Sequence, residues 1–133
     1  MNRRYLAVAE RAHFRCEYCR APEAVFNEPF DVEHIYPISL GGSSDLDNLA
    51  LACGSCNVFK SDVVKAWDDV TQSTAALFNP RSDQWTDHFS LDEESSLLVG
   101  LTKTGRVTVT LLKLNRPRHL NARRHWMQWG LFP

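Results

Sequence analysis

Two short stretches decide how this chain folds: Cys16-Glu17-Tyr18-Cys19 near the amino terminus, and Cys53-Gly54-Ser55-Cys56-Asn57-Val58-Phe59-Lys60 further on. They hold all four cysteines of the 133 residues, as two Cys-x-x-Cys pairs with none left over. Two residues between thiolates let a tight knuckle turn both sulfurs toward one ion, and two knuckles complete the four-thiolate tetrahedron that zinc prefers. Two disulfides or one redox dithiol are the alternatives, and a cytosolic setting disfavours them. Four thiolates leave zinc no open position for water, so this metal is expected to staple the fold and take no part in chemistry.

Working outward, a closed zinc site pins the end of a first helix to the start of a second and encloses residues 20–52. That loop of 33 residues exceeds the roughly 15–20 of a zinc ribbon, which leaves room for a strand, a long loop and a return. Before it, Leu6, Val8, Ala9, Ala12 and Phe14 fit a short amphipathic helix over 3–14, with Arg3, Arg4, Arg11 and Arg15 on its polar side. Inside it, residues 29–36 alternate Phe30 and Val32 with Asp31 and Glu33, a strand stopped by Pro37. Gly41-Gly42-Ser43-Ser44 reads as a loop, Asp45 or Asp47 as the cap of a helical turn, and 54–61 as a helix.

Beyond Asp62 the composition shifts, and a boundary falls near residue 66, giving a core segment 1–65 and a carboxy-terminal extension 66–133 packed on it. In the extension, 96–102 reads as a strand. Residues 104–115 satisfy both periods, with helix preferred, and Pro117 opens a last basic helix that Gly130 stops. There are no internal repeats.

Apolar residues at 44% and charged residues at 23% are ordinary for a globular protein. No apolar run approaches the roughly 20 residues of a membrane span, and charges interrupt the first residues where a signal peptide would need an apolar core. The expected setting is cytoplasmic. The net charge of −1 hides an asymmetry: +3 over 1–20, −11 over 21–100 and +7 over 101–133. Basic ends around an acidic middle can supply phosphate contacts to a nucleic acid. Arg3, Arg4, Arg15, Arg20, Arg123 and Arg124 are the candidates, together with Lys60.

The enclosed segment reads Asp31-Val32-Glu33-His34-Ile35-Tyr36-Pro37, then Gly41-Gly42, then Asn48-Leu49, and closes on Cys53-x-x-Cys56-Asn57-x-x-Lys60. This order resembles the HNH endonucleases, in the zinc-knuckle branch whose last motif residue is Asn, over about residues 13–62. The tail looks like an extension shared by some small bacterial HNH proteins, through Leu77-Phe78-Asn79-Pro80-Arg81, Trp85, His88-Phe89, Gly100-Leu101-Thr102 and Thr104-Gly105-Arg106.

The resemblance implies an α+β fold: a small ββα-metal core stapled by the four-cysteine zinc site, with an α/β carboxy-terminal extension. It assigns His34 as general base, since an imidazole accepts a water proton near neutral pH. It assigns Glu33 and Asn57 as ligands of a catalytic Mg²⁺ or Mn²⁺, hard oxygen donors for a hard ion. Asn48 matches the middle motif position, which ties the loop and positions the base-bearing strand. Lys60, one helical turn after Asn57, is placed to reach a phosphate. Neighbours on a regular strand point to opposite faces, so the strand is expected to end or twist at Glu33-His34 if both address one site.

The implied function is hydrolysis of phosphodiester bonds in DNA. The competing reading is a non-catalytic zinc module that binds nucleic acid, and the presence of Glu33, His34 and Asn57 together argues for the enzyme. A thiol oxidoreductase would need one reactive pair where there are two. Outside the motif, His88 and His13 are read as structural or surface residues, and the four tryptophans as mostly core. Oligomeric state is open, and a dimer is attractive for a double-strand cut.

Overall fold

A computed structural model describes residues 2–133; residue 1, the first of the expected core segment, lies outside them. The order of elements is α1 (Tyr5–Arg11), β1 (Asp31–His34), β2 (Leu49–Ala52), α2 (Gly54–Lys60), β3 (Lys65–Asp68), β4 (Ser73–Ala76), α3 (Trp85–His88), β5 (Phe89–Leu91), β6 (Leu98–Gly100), α4 (Lys103–Leu111) and α5 (Pro117–Gln128). The strands form three antiparallel pairs, β1 with β2, β3 with β4 and β5 with β6.

The central unit is β1-β2-α2, the two strands and helix of a ββα core. Val32 stands opposite Leu51, Glu33 opposite Ala50 and His34 opposite Leu49. Leu49-Ala50-Leu51-Ala52 is buried at every position because α1 and α2 both pack against this strand. A strand covered on both faces carries no alternation, which is why the sequence gives little sign of it. α1 is shorter than the expected 3–14 because His13 and Phe14 both adopt φ +55, a conformation that cannot continue a helix.

The fourteen residues between β1 and β2 are held as a compact loop. Gly41 takes φ +89, and a Cβ on Gly42 would lie 1.8 Å from the Tyr36 carbonyl oxygen, so the glycine pair is needed for the turn and for close backbone approach.

One apolar cluster runs from Val8 and Ala9 through the four cysteines and β2 to Trp85, Phe89, Leu112, Trp126 and Phe132. It therefore joins residues of 2–65 to residues of 66–133. Trp85 Nε1 donates to the Tyr18 carbonyl at 2.8 Å, and Arg81 ion-pairs with Glu17. The ambiguous segment 104–115 is largely helix α4, opened by Thr102, whose hydroxyl accepts from the Gly105 N–H at 3.0 Å. Pro117 begins α5, and Gly130 follows it at φ +71. The β3-β4 hairpin, which the sequence reading left without strands, is clamped to α4 by a two-pronged ion pair, Arg106 Nε and Nη2 at 3.0 and 2.9 Å from the two Asp68 oxygens.

Candidate active site and metal centre

The four cysteine sulfurs all lie within 4.8 Å of one another and all four residues are buried. Cys19 Sγ and Cys53 Sγ are 3.7 Å apart. Tetrahedral zinc at about 2.3 Å from each sulfur requires edges of about 3.8 Å, so the cluster has the size and donor chemistry of a four-thiolate zinc site. The first knuckle turns because Arg20 adopts φ +63 and its N–H returns to the Cys16 carbonyl at 2.9 Å. Glu17 ties that knuckle to β2, its N–H donating to the Leu51 carbonyl at 2.8 Å and its carboxylate accepting from the Leu51 N–H at 2.9 Å. The second knuckle straddles the start of α2, with Cys53 as the N-cap and Cys56 in the first turn. Burial pushes the Cys19 thiol up, while hydrogen bonds from Cys16, Cys19 and Cys56 hold Cys53 low.

Strand alternation separates Glu33 from His34. β1 is a regular strand that ends at His34, and of its residues Glu33 is the buried one, with Val32 only partly covered. Phe30 and Val32 are therefore not the sole inward positions: a carboxylate occupies the interior face. It survives there because Lys60 Nζ stands 3.2 Å from Glu33 Oε2 and the Tyr18 hydroxyl donates to Oε1. Burial pushes the Glu33 carboxyl up, opposed by the Lys60 charge and the Tyr18 hydrogen bond.

Lys60 completes its hydrogen bonding on the Ile35 carbonyl at 2.9 Å and is 1% exposed. The expectation that it reaches a phosphate is corrected: its ammonium is consumed inside the core. The same holds for Arg123, buried on α5 with Nη1 on the Ser96 carbonyl at 2.9 Å and on Asn115 Oδ1 at 3.1 Å.

His34 faces a cleft of about 300 Å³ lined by Asn2, Arg3, Arg4, Ser44 and Leu49. Its Nε2 is 3.0 Å from the Ser44 hydroxyl. Asn57 faces a second cleft of about 430 Å³ with Asn2, Tyr5, Glu28 and Asp31. The two clefts share Asn2, the residue leading into α1, and Glu33 is not among the described residues lining either. Asn57 Nδ2 donates to Asp31 Oδ2 at 3.1 Å. The structure therefore brings Asn57 to Asp31, not to Glu33. The sequence carried a sign of this only in that Asp31 is a second acid of β1, two residues before Glu33 and at the exposed end of the strand.

Asn48 sits at the base of the loop. Its Oδ1 accepts from the Tyr36 N–H at 2.9 Å, and its Nδ2 donates to the Tyr36 and Ser43 carbonyls at 2.9 and 2.7 Å. The Asn48 carbonyl also accepts from the Ile35 N–H at 2.9 Å. One side chain thus ties the loop on both sides of the glycine pair, beside Ser44.

Arg3 is exposed and Arg4 half-buried in the His34 cleft. Arg15 and Arg20 line a separate cleft of about 380 Å³ with Arg11 and His13. The Arg20 guanidinium lies 4.3 Å from the centre of the Trp85 ring, and Arg124 is exposed on α5. His88 Nδ1 is 2.6 Å from the Thr102 hydroxyl and its ring packs edge-on against Phe78, a structural placement.

A ββα unit stapled by four buried cysteines defines a zinc-knuckle fold of the ββα-metal kind. Residues 16–62 match the family described as HNH endonuclease. No curated protein and no solved structure matches the chain. Among the described residues no helix is long and apolar enough to cross a membrane.

Proposed function

We propose that the chain is a metal-dependent HNH endonuclease that hydrolyses phosphodiester bonds in DNA. The observation that carries this is the open cleft around His34, walled by Arg3 and Arg4 and adjoining the cleft of Asn57, within a segment that matches the HNH family.

In this reading Arg3 and Arg4 take the flanking phosphates, where a cation lowers the cost of bringing a polyanion to the surface. His34 accepts the proton of the attacking water, whose oxygen bonds to phosphorus as the bond to the 3′ oxygen breaks. The Ser44 hydroxyl, at 3.0 Å from Nε2, marks the direction from which that water is received. Asn48 holds the loop that carries Ser44, and so acts as a positioning residue. A Mg²⁺ or Mn²⁺ held by Asn57 with Glu33 would supply charge stabilisation at the phosphate and leaving oxygen. Asn57 offers a neutral oxygen at the cleft wall. Glu33 fits the role only by giving up Lys60 and moving out of the interior.

DNA is the partner, in the cytoplasm, and a double-strand cut would take two copies of the site. A non-catalytic zinc module is the second reading, favoured by the buried Glu33–Lys60 pair, and it predicts binding without cleavage. Single-turnover digestion of an end-labelled duplex with Mg²⁺ or Mn²⁺ separates them. New 5′-phosphate and 3′-hydroxyl ends are expected; bound but intact duplex with either ion would refute the enzyme.

A further inference from the structure

The buried Glu33–Lys60 pair and the exposed Asp31–Asn57 contact point to different occupants of the ion site. We infer that Asp31, two residues before the carboxylate of the HNH motif, is the acidic ligand that joins Asn57 in holding the divalent ion, and that Glu33 is a structural residue of the core. This rests on the nuclease reading for the existence of the ion, and names the carboxylate that takes it.

Three observations carry it. Asn57 Nδ2 and Asp31 Oδ2 are 3.1 Å apart. A half-turn of the amide exchanges its oxygen and nitrogen, which leaves two oxygens at that spacing. Neighbouring ligands of an octahedral Mg²⁺, each at about 2.1 Å from it, stand roughly 3 Å from one another. The hydrogen bond present without the ion is thus replaced by joint ligation with little movement of either backbone.

Second, Asp31 is exposed, Asn57 is half-exposed, and both line the cleft that shares Asn2 with the His34 cleft. Glu28 lines it as well, so further oxygen donors are at hand. A hard ion keeps much of its water and needs an open wall. Third, Glu33 has a compensated place elsewhere, with Lys60 and Tyr18 occupying its two oxygens and 5% exposure of the residue. Drawing it out would leave the Lys60 ammonium buried without its counter-charge, a penalty of the kind that keeps buried pairs intact. Moving Asn57 to Asp31 requires none of this.

The test is a Mn²⁺ titration of the zinc-loaded protein, followed by loss of the electron paramagnetic resonance signal of free Mn²⁺. It is run with and without duplex DNA on a His34→Ala background, so that the DNA stays whole. Asp31→Ala and Asn57→Ala are each expected to weaken Mn²⁺ binding at least about tenfold, and Glu33→Gln by less than about threefold. Asp31→Ala should leave the melting temperature within about 2 °C, since the contact of its side chain with Asn57 lies at the surface. Unchanged binding in Asp31→Ala with loss in Glu33→Gln would place the ion at Glu33 and overturn the inference. Absence of Mn²⁺ binding by the parent under both conditions would overturn it too. Plasmid cleavage by the wild-type chain reports separately: if it cuts and Asp31→Ala cuts equally at every Mn²⁺ concentration, the inference fails and the nuclease stands. If the wild type does not cut while Asp31→Ala still loses Mn²⁺, the ligand assignment stands and the nuclease fails.

Discussion

Lys60 and Glu33 form an ion pair of 3.2 Å in the interior of the ββα core, with side chains 2% and 4% exposed. Each neutralises the desolvation cost of the other, so removing one strands a buried charge. Lys60→Ala is expected to destabilise the fold by about 3–5 kcal/mol, read from urea or thermal unfolding. Glu33→Gln keeps the shape and a hydrogen-bonding partner for Tyr18, but removes the counter-charge of Lys60, so an intermediate loss is expected. Equal stability of Lys60→Ala and wild type would mean that the pair is not formed.

The zinc site makes a second prediction, about folding. Structural zinc contributes about 10–16 kcal/mol of apparent binding free energy, comparable with or larger than the roughly 5–15 kcal/mol by which domains are stable. Cys56→Ser, or a strong chelator, should therefore unfold the chain, with loss of near one zinc per molecule measured by atomic absorption. Because the thiols must shed protons to bind, zinc affinity should fall as pH is lowered. A melting curve untouched by chelator would contradict the four-cysteine site.

Asn48 gives a prediction about catalysis that separates positioning from ligation. Its three amide hydrogen bonds hold the loop bearing Ser44, so Asn48→Ala should lower kcat by up to about 100-fold through misplacement. KM and zinc content should stay near their wild-type values. A drop in Mn²⁺ affinity instead of kcat would show that Asn48 acts on the ion.

Stability in acid should report on α5. Burial, and then the Arg123 charge, pushes the His119 imidazole down to about 4, against about 6.5 in an unfolded chain. Between those values the unfolded state holds more protons, so stability rises with pH. The contribution is complete above about pH 6.5 and is lost as pH falls through about 4, amounting to roughly 3 kcal/mol. His119→Gln should flatten this part of the profile, compared at equal zinc content. An unchanged slope would mean that His119 does not carry the titration.

The ends of the enclosed loop were readable in the sequence because cysteine spacing constrains geometry directly: two knuckles bring four thiolates to one point, although only the second adjoins a helix, α2, since α1 ends at Arg11, before the first knuckle. Pro117 and Gly130 were readable because each acts through its own backbone. β2 was hidden because Leu49 to Ala52 are all apolar, and a fully covered strand has no period. β3 and β4 were hidden because the hairpin they form is held against α4, through Asp68 and Arg106, 38 residues apart. At the site, motif order singled out His34, Asn48 and Asn57 as candidates, but spacing alone does not say which way a side chain leans. Glu33 and His34 are adjacent in sequence and on opposite faces in space. Lys60 and Arg123, both candidates for phosphate contact by charge, turned inward because carbonyls and a carboxylate receive them there.

The central claim is that His34 does chemistry on DNA within a zinc-stapled core, and it is tested most directly by incubating supercoiled plasmid with Mg²⁺ or Mn²⁺ and wild-type or His34→Ala protein, each shown to hold one zinc. The account predicts nicked or linear plasmid with the wild type and loss of that activity, by at least about 100-fold, in the mutant at unchanged zinc content. Undiminished cleavage by His34→Ala would contradict it.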